Sequence, residues 1–199
     1  MPDAADLAGE LLSSDEARAE VAVRRLAELG PQALAAVLPL CRAEEAEHRW
    51  WALRAAASIP DRRAAEALAA ALEDREPTVR QAAALGLRLQ PSPPASGALT
   101  QRLADPDALT ARLASDALAA IGGAALPDLR RASANGAPAV RFLAIRALAL
   151  MKEPSAVPDL FAALEDESVL VRHWAERGLE ALGVGMVFFR AEAGGGSAG

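Results

Sequence analysis

The chain has 199 residues and a formal net charge of −6, and hydrophobic residues make up 52% of it although aromatic ones supply only 4%. This length suits one domain with a sizeable core, and a single cysteine excludes a disulfide framework. The acidic balance does not give the basic surface typical of duplex DNA binding. No signal peptide or uncharged apolar span of membrane-crossing length is evident, so a cytoplasmic protein is expected.

One helical pattern occurs six times along the chain, and each copy contains a turn residue that serves as an anchor: Ser13, Ala43, Asp74, Asp105, Asn135 and Asp166. The spacings between anchors are 30, 31, 31, 30 and 31 residues. Nine residues after each anchor stands an alanine, namely Ala22, Ala52, Ala83, Ala114, Ala144 and Ala175. Two amphipathic helices fit each period, helix A before the anchor and helix B after it. Such a period is typical of a stacked helical array, and the predicted class is all-α.

Residues at the helix ends agree with this division. Ser13 and Glu16 have the spacing of a capping box at the start of the first B helix. Three glycines stand where B helices should end: Gly30, Gly122 and Gly183. Residues 90–96, QPSPPAS, contain three prolines. We expect them to shorten the fourth A helix and to form a joint between repeats one to three and repeats four to six.

The six repeats account for residues 1–183. The apolar segment 184–190 is expected to cap the exposed end of the last repeat, because an open repeat array exposes apolar surface. Residues 191–199, AEAGGGSAG, are expected to form a flexible tail.

The repeated columns resemble the HEAT-repeat superfamily, especially the short bacterial HEAT-like repeats of the phycobilisome lyase type. The resemblance rests on Asp74 with Val79-Arg80, Asn135 with Val140-Arg141, and Asp166 with Val171-Arg172, and on the proline-bearing A helices at 126–129 and 157–160. It implies a right-handed α-α superhelix of six helical hairpins, with A helices on the convex face and B helices lining the concave groove. It also implies a structural ladder of hydrogen bonds between repeats, which here would use Arg49, Asp74, Arg80, Asn135, Arg141, Asp166 and Arg172. Ala19 and Ala111 replace the ladder arginine in the first and fourth repeats.

A row of large side chains on the B helices is not needed for stacking. Positions seven and eleven after the anchors lie one helical turn apart, hence on one face. Between the fifth and sixteenth positions after the anchors, the B helices hold twelve arginines and five acidic residues. Arginine interleaved with aromatic residues is typical of binding hot spots. The row predicts a groove for an acidic, partly apolar protein segment, bound by Trp50, Arg54, Arg88, Arg112, Phe142, Arg146, His173 and Arg177.

A plainer interpretation of the same residues stays open. Some of these arginines would serve the ladder, and aromatic side chains can fill gaps between helices. Cys41 occupies a leucine column and is expected to be a small core residue.

An enzymatic reading is the alternative to a non-catalytic scaffold. Trp50, Trp51 and Asp116 imitate the aromatics and aspartate of HEAT-like DNA-base glycosylases, while a relationship to bilin lyases is suggested by the family name alone. Deoxyhypusine hydroxylases of this fold hold iron with His-Glu pairs, but His48 and His173 are followed by other residues and lie 125 positions apart. No metal or cofactor site is therefore predicted, and the expected partner is a protein rather than a nucleic acid or a membrane.

Overall fold

The structure, a computed structural model, describes residues 3–184, and in this range it contains α-helices, 3-10 turns and no strand. The all-α prediction is thereby confirmed. The helices are α1 (Ala4–Glu10), α2 (Glu16–Leu29), α3 (Leu34–Leu40), α4 (Ala46–Ala57), α5 (Arg62–Ala71), α6 (Pro77–Leu89), α7 (Ser96–Arg102), α8 (Ala108–Ile121), α9 (Leu126–Asn135), α10 (Pro138–Met151), α11 (Val157–Ala163) and α12 (Val169–Ala181).

Odd-numbered helices are the predicted A helices and even-numbered helices the predicted B helices, so six hairpins follow one another in the described chain. The B helices have 12–14 residues, whereas α1, α3, α7 and α11 have only 7. A 3-10 turn precedes four of the A helices, at Gly30–Ala33, Pro93–Ala95, Gly122–Ala125 and Pro154–Ala156. Proline and glycine in these turns delay the start of the α-helix, because they do not favour its regular geometry.

The described chain divides into two compact units, one that ends at Ile121 and one that begins at Gly122. In the first unit the B helices α2, α4, α6 and α8 pack in series, and the A helices α1, α3 and α5 pack beside them. In the second unit α10 packs against α9, α11 and α12. The division falls one repeat later than residues 90–96, and the B helices on either side of that stretch, α6 and α8, pack directly against each other. A joint at 90–96 stays a prediction.

The alanine column explains how the helices approach each other so closely. All six alanines nine residues after the anchors are at most 1% exposed. Cys41 is also buried, with its Sγ 3.8 Å from the carbonyl oxygen of Val37. Burial raises the pKa of the Cys41 thiol to about 11, so this residue packs as a small apolar group and is not a reactive thiolate.

The structure confirms the predicted glycines at the ends of the B helices but not the predicted capping box. Gly30, Gly122 and Gly183 have φ values of 67°, 71° and 74°, which glycine adopts without steric cost. The predicted capping box is wrong. Asp15 is the N-cap of α2 and accepts hydrogen bonds from the amides of Ala17 and Arg18, while the Ser13 hydroxyl accepts one from the Asp15 amide. The helix starts at Glu16, so the residue directly before it, not Ser13, is placed to cap it.

Among the described residues, the stretch 108–135 is long and apolar enough, by length and composition, to cross a membrane. Its path is interrupted at Gly122, where φ is 71°, and 44% of its most apolar window is buried inside the protein. Core helices pass the same test, which makes this weak evidence. The segments 184–190 and 191–199, expected to be a cap and a tail, lie outside the described residues except for Val184.

Candidate binding surface

Two arginine–aspartate pairs link successive anchor turns in the first unit. Arg49 donates from Nε and Nη2 to the Asp74 carboxylate at 2.7 and 2.8 Å. Arg80 donates in the same way to Asp105, at 2.9 and 2.7 Å. The Nη1 of each arginine also donates to two backbone carbonyls of its own anchor turn. Each pair spans 25 residues of sequence and joins one repeat to the next.

In the described part of the second unit, one such pair joins Arg141 and Asp166, at 2.8 and 3.2 Å. These hydrogen bonds hold the pKa of the Asp166 carboxyl below its usual range. Within residues 3–184, the bonds of Arg172 go to backbone carbonyls, at 2.6 and 3.0 Å. Asn135 has no ladder arginine to accept from, because Ala111 stands at the arginine position of the repeat before it, and its side-chain nitrogen donates to the carbonyl of Arg131 at 3.3 Å. The sequence set therefore wrongly included Asn135 and omitted Asp105, although only a carboxylate offers two equivalent oxygens to a guanidinium.

Exposed apolar side chains concentrate on the B helices. In the described range, the large apolar residues that are exposed on even-numbered helices are Val21, Leu85, Leu89, Leu109, Leu150, Val169 and Leu170. The remaining one, Leu12, follows α1. We call the outward surface of the even-numbered helices in each unit the B-helix face. Contiguous apolar surface of this kind marks binding sites, whereas single exposed apolar residues are normal on a protein surface.

Trp50, Trp51 and Arg54 form a compact group on α4. The two rings meet edge to face with centroids 4.8 Å apart, and the Arg54 guanidinium lies 5.2 and 5.5 Å from them. Trp50 is half-buried and Trp51 is buried. Arg54 pairs with Glu20 of α2 at 2.7 Å. One nitrogen of Arg54, Nη2, thus already bonds an acidic residue of the chain, and the expected contact of Arg54 with a partner's carboxylate stays a prediction.

A second aromatic group lies on α10 and α12. The half-buried Trp174 ring has the guanidinium of Arg146 at 5.3 Å and that of Arg177 at 5.5 Å. His173, which is exposed, meets the ring edge to face with centroids 6.4 Å apart. We call Arg146, His173, Trp174 and Arg177 the Trp174 cluster. Arg146 is only 9% exposed. It therefore contacts Trp174 from inside the protein and is not the exposed contact residue that the sequence predicts.

The remaining expected residues are separate from these two groups. Phe142 on α10 is half-buried, and Arg88 on α6 and Arg112 on α8 are exposed. Within residues 3–184, Arg88 and Arg112 make no ion pair. The eight residues expected to form one row therefore fall into a pair on α4 (Trp50 and Arg54), three separate residues (Arg88, Arg112 and Phe142), and three members of the Trp174 cluster (Arg146, His173 and Arg177).

Two features of this surface were not predicted from the sequence. Trp174 stands eight residues after its anchor, in the same column as Trp51, and this shared tryptophan column was the available signal. Glu16 and Glu47 lie close to Trp50 around one cleft. They stand three and four residues after their anchors, just outside the stretch of helix B over which charge was counted.

Other parts of the described chain offer no comparable chemistry. No group of three or more His, Cys, Asp or Glu side chains in residues 3–184 could hold a metal ion. A cleft of about 840 Å³ lies between the A helices α3 and α5, lined by alanine and leucine and by as many charged residues, namely Arg42, Arg49, Arg63, Glu66, Glu73 and Asp74. None of the eight expected binding residues lines it.

The comparisons with known proteins agree with this architecture. The family model for HEAT repeats matches residues 5–88 and 96–180, and the gap between the two matches contains the prolines of residues 90–96. A search of curated proteins finds no match.

Solved structures with a similar fold include the archaeal HEAT-like repeats protein from Thermococcus onnurineus NA1, with a TM-score of 0.66 at 15% identity, over 92% of this chain and 81% of that one. The complex of CpcE and CpcF of phycocyanin lyase from Nostoc sp. PCC7120 matches with a TM-score of 0.57 at 24% identity, over 92% of this chain and 78% of that chain. A designed armadillo repeat protein in complex with the peptide (KR)4 gives 0.52 at 19% identity, over 91% of this chain and 100% of that one. These likenesses concern the fold alone, whereas the family match covers most of the sequence. The chain belongs to the HEAT-repeat family.

Proposed function

We propose that this chain is a non-catalytic protein-interaction scaffold whose B-helix face binds an acidic, partly apolar segment of a partner protein. Repeat proteins of similar fold support the general role, since one forms a CpcE–CpcF complex and another is a designed protein with a bound peptide. The Trp174 cluster is the observation on which the ligand assignment rests.

The Trp174 cluster can contact both the acidic and the apolar side chains of such a segment. Arg177 is exposed and makes no ion pair within residues 3–184, so its N–H groups are available to a carboxylate. A guanidinium stacked on a ring keeps its in-plane donors free, so the contact with Trp174 orients Arg177 without consuming its hydrogen bonds. Leu170 lies one turn before Trp174 on α12, is 58% exposed and adds apolar surface.

The same combination occurs on two helices of the first unit. Arg88 follows Leu85 by three residues and directly precedes Leu89, which is 62% exposed. Arg112 follows Leu109, which is 50% exposed, by three residues. Residues three apart on a helix are neighbours on its surface. An exposed arginine beside an exposed leucine favours a segment that alternates acidic and apolar side chains.

A labelled twelve-residue peptide of alternating glutamate and leucine tests the proposal by fluorescence anisotropy with the full chain. We expect Arg177→Glu to weaken binding about tenfold, because it places a negative charge against the ligand's carboxylates. Binding by the unaltered chain should also weaken as salt is added. Melting temperatures are measured first, so that a loss of fold is not mistaken for a loss of binding.

Arg131→Glu is the control, since Arg131 is also an exposed helical arginine of the second unit but lies on the A helix α9. Arg131 pairs with Asp128, so the melting temperature of this variant is also compared with that of the unaltered chain. It changes the net charge equally and should leave peptide affinity nearly unchanged. Equal weakening by both substitutions would indicate a general charge effect, and no weakening by Arg177→Glu would remove the site from the Trp174 cluster.

A further inference from the structure

A second cleft, of opposite charge, lies between α2 and α4 in the first unit. It has a volume of about 540 Å³ and is lined by Glu16, Ala17, Glu20, Glu47, Trp50, Trp51 and Arg54. That volume falls within the roughly 300–1,000 Å³ common for ligand pockets. We call it the acidic cleft.

The charges around the acidic cleft are not balanced. Three carboxylates face one guanidinium, which leaves a net charge of −2. Glu20 is paired with Arg54 at 2.7 Å. Glu16 and Glu47 are exposed and form no ion pair with other residues in the range 3–184. Two carboxylates beside aromatic rings therefore have no cation of their own.

Arg54 shows how this cleft accommodates a guanidinium. Its Cζ atom lies 5.2 Å from the centroid of Trp50 and 5.5 Å from that of Trp51. Its Nη2 donates to the Glu20 carboxylate at 3.0 Å from Oε1 and 2.7 Å from Oε2. A ring face for the flat cation and a carboxylate for its N–H groups are the two requirements of arginine recognition.

We propose that the acidic cleft binds an arginine side chain from a basic segment of a partner protein. The incoming guanidinium would contact the half-exposed Trp50 ring and donate hydrogen bonds to Glu16 and Glu47, next to the Arg54–Glu20 pair. This inference goes beyond the acidic-segment site, because it uses other residues, another helix pair and a ligand of opposite charge. Charge complementarity with two unpaired carboxylates selects a basic occupant over an acidic one.

The test uses the full chain and a labelled peptide in which three arginines alternate with serine. A sister peptide carries citrulline in place of arginine, and citrulline keeps the shape of the side chain but has no charge. We expect measurable binding of the arginine peptide, and binding at least about tenfold weaker for the citrulline peptide. A lysine version should also bind more weakly, since an ammonium group cannot stack as a flat plane on Trp50.

Two double substitutions separate a specific site from general attraction to an acidic protein. Glu16→Gln/Glu47→Gln removes the two unpaired carboxylates of the cleft and should weaken the arginine peptide about tenfold. Glu28→Gln/Glu66→Gln changes the net charge equally at exposed positions that do not line the cleft, and should have little effect. Equal losses from both variants, unchanged binding after the first, or equal binding of the lysine peptide would overturn the proposal.

The two binding proposals fail independently. Glu16→Gln/Glu47→Gln should leave the affinity for the glutamate–leucine peptide unchanged, and Arg177→Glu should leave the affinity for the arginine peptide unchanged. If the unaltered chain binds only one of the two peptides, the site proposed for the other peptide is wrong.

Discussion

Arg80 donates two hydrogen bonds to the carboxylate of Asp105, at 2.9 Å from Nε and 2.7 Å from Nη2. The Asp105 side chain is 0% exposed and that of Arg80 is 8% exposed. A planar guanidinium matches both carboxylate oxygens at once, so this pair fixes the orientation of two successive anchor turns as well as their distance. The ladder thus adds a directional link to a stack that alanine and leucine otherwise hold by non-directional packing.

We expect Arg80→Ala to lower the free energy of unfolding by about 3–5 kcal/mol, because it leaves the Asp105 carboxylate buried without its main partner. Arg102 also pairs with Asp105, but at the longer distance of 3.5 Å between Nη1 and Oδ2. Urea unfolding followed by circular dichroism measures the change. The comparison is Arg62→Ala, which removes an exposed pair with Glu66 and should change the free energy of unfolding far less. Similar costs for both would show that the ladder is not a special source of stability.

Sequence reasoning predicted the fold well because the requirements of stacking repeat in register. A small side chain is needed wherever neighbouring helices approach, so an alanine column such as Ala52 and Ala83 marks the same contact in every repeat. The binding surface was less predictable. Trp50 and Arg54 are one helical turn apart, as predicted. Nothing in a helical period, however, indicates that Glu20, 34 residues earlier, pairs with Arg54. Pairings between helices depend on side-chain length and rotamer, which the spacing of residues does not specify.

The Arg141–Asp166 pair should make stability depend on pH in the acid range. Hydrogen bonds from Arg141 lower the pKa of the folded Asp166 carboxyl below its value in the unfolded chain, which is about 3.9. The stabilisation is therefore complete above that unfolded value and is lost as pH falls through the lower folded value. Melting temperatures of the unaltered chain and Asp166→Asn should differ clearly at neutral pH and converge below about pH 4. A constant difference down to the most acidic conditions would argue against this ionisation.

Gly178 on α12 should not tolerate even a methyl group. A Cβ atom built there would lie 2.9 Å from the Cβ of Ala149, 3.0 Å from its Cα and 2.9 Å from a methyl of Leu160. We expect Gly178→Ala to reduce stability by about 1–3 kcal/mol through overpacking. Gly97 on α7 provides the control, since a Cβ there meets nothing within 4 Å. Gly97→Ala should instead raise the melting temperature slightly, because alanine favours the helix. A stabilising effect at both positions would contradict the close helix contact.

The Gln90 side chain ties the start of the proline-rich stretch 90–96 to the end of α4. Its amide nitrogen lies 2.7–2.9 Å from three backbone carbonyl oxygens at the end of that helix, those of Ala56, Ala57 and Ile59. Gln90→Glu replaces this donor with a carboxylate that repels the same carbonyls. We expect hydrogen exchange in residues 86–100 to quicken by a factor that corresponds to about 1–3 kcal/mol of lost local stability.

If residues 90–96 form the expected joint, the faster exchange of Gln90→Glu should centre on that stretch and the end of α4, while α10 and α12 stay as protected as before. Gln101→Glu introduces the same charge at an exposed position of α7 and should leave exchange unchanged. Uniformly faster exchange through all helices would mean that Gln90 supports the whole fold cooperatively, and no change at all would mean that its three contacts contribute nothing to local opening. Either result would remove the physical basis for a joint at this site.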